Sequence, residues 1–132
     1  MALAQAFAKG VNDYIHGTGA APTLAAGRKL KVCSTTGTPT TAGTEITPGG
    51  NYAAGGVAVT FDAATTATPS VSANQAVSIT NMPAAPTITS IEVTDNAGTP
   101  VRLEYGALTT ARSTAAGDTL SFAASAITSA LS

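Results

Sequence analysis

Nucleophilic, acid–base and metal chemistry each need particular side chains within reach of one another, and this chain is sparing with all of them. Cys33 and His16 are the sole residues of their types, so a Cys–His pair is the most that covalent catalysis could draw on. Neither stands in a catalytic signature: Cys33 reads as a small strand residue and His16 as a helix-end residue. One His, one Cys and seven scattered carboxylates give no zinc spacing, and Asp95-Asn96 lacks the acidic series of a calcium loop. Neither a metal nor another cofactor is expected. Glu92 and Glu104 would suit glycoside hydrolysis if a hairpin brought them face to face. Trp is absent and only Tyr14, Tyr52 and Tyr105 could stack on a sugar, so both glutamates read as solvated strand residues, with Arg102 as a cross-strand partner. Gly49-Gly50 and Gly55-Gly56 flank Asn51-Tyr52 without opening a helix or adjoining a lysine, which favours backbone turns over a phosphate cradle. No enzymatic activity is expected. Arg28, Lys29 and Lys31 gather three of the six cations; they read as the charged edge of a first strand, or as a docking point for an acidic partner.

The elements that would carry these residues differ in period. Leu3, Phe7, Val11, Tyr14 and Ile15 recur at helical spacing, which predicts an amphipathic helix within residues 1–17, stopped by Gly17 and Gly19. Gly10 weakens its middle by roughly 1 kcal/mol relative to Ala, so the stripe must dock on its own domain or on a neighbouring chain. From Leu30 onward the period is two. Leu30 with Val32, Val57 with Val59 and Phe61, Val77 with Ile79, Val101 with Leu103 and Tyr105, and Leu120 with Phe122 all alternate with smaller or polar residues. A change of phase between Ile88 and Ile91 predicts a bulge near Ser90. Asp95-Asn96-Ala97-Gly98 is turn chemistry that makes residues 87–105 a hairpin. With 44–47 and 109–113 as weak members, about eight strands are predicted within residues 30–128. The expected fold is mostly β: a single domain over 1–132, an antiparallel β-sandwich or barrel preceded by one N-terminal amphipathic helix. No helical pattern separates the strands, so parallel winding is not expected.

Composition says what such a domain presents to its surroundings. Ala, Thr, Gly and Ser fill 74 of the 132 positions, whereas Leu, Ile, Val and Phe fill 24. The core must be thin, and a second copy is expected to complete the apolar surface. A net charge of −1 with 10% charged residues argues against a self-repelling disordered chain. It leaves a hydroxyl-and-methyl surface suited to packing against neighbours. Six cations against seven anions offer no footprint for nucleic acid. No apolar run approaches a membrane span, and a start carrying Gln5 and Lys9 does not read as a secretory signal. The single cysteine fits synthesis in a reducing cytoplasm.

Several ordered motifs carry a resemblance. Thr44-Glu45-Ile46, then Gly49-Gly50-Asn51-Tyr52-Ala53 and the strand from Val57 to Phe61, are preceded by Tyr14-Ile15-His16-Gly17 and Thr38-Pro39-Thr40-Thr41-Ala42-Gly43. Gly117-Asp118-Thr119-Leu120-Ser121-Phe122-Ala123 closes the series. In this order they resemble a family of small virion proteins of tailed phages, common in phages of actinobacteria, that are labelled head decoration or tail fibre proteins. Two positions depart from the family: Ala54 stands where Arg is frequent and Phe61 where Trp is frequent. The resemblance implies a structural virion protein on the outer surface of the particle, with a head decoration component ahead of a tail-fibre or host-recognition module. It also implies a homotrimer, with the major capsid protein of the head as partner and neither nucleic acid nor membrane. The expected assembly interface combines the helical stripe of Leu3, Phe7, Val11, Tyr14 and Ile15 with Arg28, Lys29 and Lys31.

Overall fold

In the computed structural model, which describes residues 1–131, a short strand β1 (Ala2–Leu3) precedes helix α1 (Gln5–Ile15). Eight strands follow: β2 (Arg28–Cys33), β3 (Val57–Val59), β4 (Ser70–Ala73), β5 (Val77–Ile79), β6 (Ala85–Asp95), β7 (Arg102–Thr114), β8 (Leu120–Phe122) and β9 (Thr128–Leu131). They form an antiparallel five-stranded sheet in the order β1-β7-β6-β2-β3 and two antiparallel ribbons, β4-β9 and β5-β8. The chain is mostly β, and its sheets do not close into a barrel; the arrangement is that of a β-sandwich.

Side-chain alternation builds the core. Leu30 and Val32 of β2 lie opposite Val93 and Ile91 of β6, and all four are buried. Ile79 of β5, Leu120 and Phe122 of β8, and Ile127 before β9 join the same cluster. Each such side chain contributes about 1.5–3 kcal/mol on full burial. The β6–β7 hairpin forms where turn chemistry predicts it, and the register shifts between Ile88 and Ser90, so the bulge near Ser90 is present. There Thr89 alone opposes Leu108, Thr109, Thr110 and Ala111 of β7.

The helix is shorter than the stripe. Leu3 belongs to β1, paired with Glu104, and not to the helix. The helix ends in a Schellman turn, with Gly17 N–H donating to Tyr14 O at 3.1 Å and Thr18 N–H to Asp13 O at 2.8 Å. Gly17, at φ 68°, supplies the left-handed residue that this turn requires. Residues 44–47 form no strand beyond a single bridge between Cys33 and Glu45, and 109–113 are part of β7. The short β1, and β4 and β9 with sequences built on Ser, Thr and Ala, were not foreseen: they lack the large apolar alternation that announces a strand, and pairing creates them.

One feature of the sheet decides where the charges go. Beyond Leu30 and Val32, the opposite face of β2 and β6 is also covered, because residues 34–46 fold back over it. Cys33, Ser90 and Glu92 are therefore fully buried, and β6 is buried without a break from Ser90 to Asp95.

Candidate assembly interface

The stripe expected to mediate assembly is divided by the fold. Phe7 packs against the chain's own core, and with Leu3 it lines a cavity of about 260 Å³ beside Leu24, Phe61, Val93 and Leu103. Val11 is half-buried. Tyr14 and Ile15, at the far end, are 56% and 68% exposed, and no residue of α1 is fully buried. Gln5 and Lys9 face outward, with Lys9 paired to Asp13 one turn on. His16 caps the helix end through its backbone N–H, which donates to Asn12 O at 3.1 Å, and its side chain is exposed.

The three clustered cations part company as well. Arg28 Nη1 donates to the carbonyls of Ala25 at 3.0 Å and Gly27 at 2.6 Å. Lys29 is half-buried, on the sheet face that also carries Lys31. The Lys31 side chain is 18% exposed and its Nζ lies 3.3 Å from Oε2 of Glu92, so its charge faces an internal partner and not an acidic neighbour.

Glu92 is the centre of this buried polar cluster, which corrects its reading as a solvated residue. Its Oε1 accepts the Gly43 N–H at 2.7 Å, and Arg102 Nε lies 2.9 Å from the same oxygen without the alignment of a hydrogen bond. Arg102 is thus the cross-strand partner expected for it. Arg102 also donates through Nη1 to Thr38 O at 2.7 Å and stacks 4.5 Å above the Tyr105 ring. Glu104 is buried too, accepts the Ser129 hydroxyl, and lies opposite Val93 in the ladder. Adjacent strand residues point to opposite faces, so Glu92 and Glu104 sit on opposite sides of the sheet and cannot flank one bond.

Cys33 is buried at the end of β2, where burial and the nearby Glu92 push its thiol up to about 12, leaving it neutral and unreactive. His16 lies at the exposed end of α1, so the two do not form a pair. Tyr52 is also buried, not a surface platform: its Oη accepts Val32 N–H at 2.8 Å and donates to Glu45 Oε1 at 2.9 Å. Burial raises the Tyr52 hydroxyl above its ordinary range. Gly49 and Tyr52 exchange backbone hydrogen bonds at 3.0 Å in both directions, so this segment is a turn. A cleft of about 700 Å³ is lined by Tyr105, Leu108, Arg112, Phe122 and threonines, with no acid, Cys or His in its wall. Among the described residues, no cluster of His, Cys, Asp and Glu could hold a metal ion, and no helix is long and apolar enough to cross a membrane.

Two polar residues organise the fold through bonds that the sequence does not announce. Asn74, fully buried, donates through Nδ2 to Gln75 O at 2.8 Å and Ala123 O at 3.0 Å, while its Oδ1 accepts Ile127 N–H at 2.8 Å. Asp95 accepts the N–H groups of Ala25 at 3.0 Å and Val101 at 2.7 Å. A buried Asn that ties its own segment to the distant backbone groups of Ala123 and Ile127 leaves no local pattern to read.

Compared with known proteins, the chain matches no family model and no curated protein sequence.

Proposed function

We propose that this chain is a structural protein of a tailed-phage virion, a head decoration component that seats on the major capsid protein and reinforces the shell from outside. The observation that carries the reading is the surface. Charge is scarce and largely engaged within the chain: Lys31 and Arg102 with Glu92, Lys9 with Asp13, Arg28 with carbonyls. Thr, Ser and Ala cover the exterior, and the cleft beside Tyr105 and Arg112 contains no acid–base pair. Such a body neither repels its neighbours nor presents a reacting group, which suits a part repeated many times on a particle. The order of motifs resembling small phage virion proteins supports the same reading and implies three copies around an axis.

The interface proposed for assembly is the outer end of α1, where Val11, Tyr14 and Ile15 form an apolar patch. Replacing Tyr14 and Ile15 together by Ser should leave folding intact, because exposed substitutions change stability by about 0.5 kcal/mol or less. Incorporation into particles should fall to a small fraction of wild type, measured against the shell subunit in purified virions. Undiminished incorporation would exclude this patch. The second reading, a tail-fibre or host-recognition module, rests on the same resemblance and differs in copy number.

A further inference from the structure

We infer that residues 34–46 form a strap that opens and closes together with helix α1 as one unit, while the sandwich beneath stays folded. The strap is anchored at Cys33 in β2 and at the buried Ile46, whose N–H donates to Val32 O at 3.1 Å. Between these anchors Gly43 is the one buried residue, so no large side chain other than the Ile46 anchor enters the apolar core.

Polar contacts hold it instead. Gly43 N–H donates to Glu92 Oε1 at 2.7 Å, Arg102 Nη1 to Thr38 O at 2.7 Å, Ser90 Oγ to Thr35 O at 2.9 Å, and Thr89 Oγ1 to Ser34 O at 2.9 Å. The helix leans on the same strap. Pro39 O accepts the N–H of Gln5, the first residue of α1, at 2.8 Å, and the helix has neither a side-chain cap nor a fully buried residue. Losing the strap therefore removes an N-terminal partner from a helix too short to stand alone.

The energetics favour local opening. Free energies of sub-global opening follow the apolar surface exposed, and in α1 and the strap between its anchors Phe7 is the one large side chain packed against the core. Opening also rehydrates buried charge: Glu92 Oε2 and Arg102 Nη2 have no hydrogen-bond partner in the closed state, so water offsets part of the loss of the contacts. The charged groups gathered around the latch are Lys31, Glu92 and Arg102, with Glu45 at the strap's end.

The chain carries its own reporter. Cys33 is the sole cysteine, lies beneath the strap, and would meet a Cβ on Gly43 at 3.3 Å. Its thiol is inert when covered and returns toward its ordinary range when water reaches it. The test is reaction of Cys33 in the full chain with an aromatic disulfide across rising denaturant, beside hydrogen exchange of the α1 amides. The expected labelling in wild type has a much weaker denaturant dependence than global unfolding. Glu92→Gln, and independently Gly43→Ala, whose Cβ would lie 2.3 Å from Thr35 O, should speed Cys33 labelling and α1 exchange by the same factor. That factor is roughly ten- to a hundredfold, the loss of a charge-assisted hydrogen bond, with β5 and β8 amides unchanged. Labelling that tracks global unfolding would overturn the proposal, as would faster Cys33 labelling without faster α1 exchange. The wild-type denaturant slope and the α1 exchange of Gly43→Ala decide the point whether or not Glu92→Gln folds.

Discussion

Asp95 closes the hairpin between β6 and β7 and at the same time ties down a segment seventy positions earlier, through the N–H of Ala25. That bond first, and the Val101 N–H next, hold its carboxyl below its ordinary value of 3.8. The folded state therefore binds this proton less readily than the unfolded chain. The resulting stability is complete above about pH 4 and fades as pH falls through the depressed folded value. Asp95→Asn should be less stable than wild type at neutral pH, and the gap should shrink in acid, as read by denaturant titrations at both pH values. A gap that does not change with pH would remove the carboxylate charge from the explanation. The turn role of Asp95 was legible, because Asp-Asn-Ala-Gly is local chemistry. Its bond to Ala25 was not, since no spacing in the sequence connects the two. Glu92 teaches the reverse. Its alternation with Ile91 and Val93 correctly marked it as facing away from the core, and only the strap above it turned an outward face into a buried one.

At the scale of elements, large apolar side chains made β2, β3, β5, β6, β8 and the first part of β7 readable, and helical spacing found α1. The ribbon β4-β9 escaped because Ser, Thr and Ala give no contrast between its two faces. What fastens this region is Asn74, which links the chain around β4 and β5 to the segment between β8 and β9. Asn74→Ala would leave the Ile127 N–H and the Gln75 and Ala123 carbonyls without their partner, at a cost of about 3 kcal/mol. Asn51→Ala, which removes one exposed hydrogen bond to Thr80, should cost less than about 0.5 kcal/mol. Denaturant unfolding of both variants checks the contrast; equal losses would show that Asn74 does not fasten the ribbon. The expected assembly stripe was legible as a helix face but not as a divided one. Its first part turns to the chain itself, with Leu3 paired into the sheet in β1 and Phe7 packed against the core.

For the whole molecule, the balance of small residues sets both the fold and its use. One modest core is enough to hold two ribbons on a five-stranded sheet, and several of the few charges find partners within the chain. What remains outside is a sparsely charged surface, with Lys9, Asp62, Arg112 and Asp118 exposed, and the apolar end of α1; these are the features that the proposed trimer and its seat on the shell would use. The catalytic alternatives weighed from the sequence lose their geometry here. The two glutamates point to opposite faces, the thiol is buried and neutral, and His16 stands apart from it.

The copy number of this chain in purified virions of its proposed phage source, counted by mass spectrometry with isotope-labelled peptide standards, tests the central proposal most directly. A decoration protein is predicted to be present on the scale of the shell subunit itself and to leave the particle when the shell is dissociated. A few copies confined to the tail would transfer the chain to the host-recognition reading, and its absence from the virion would contradict the account altogether.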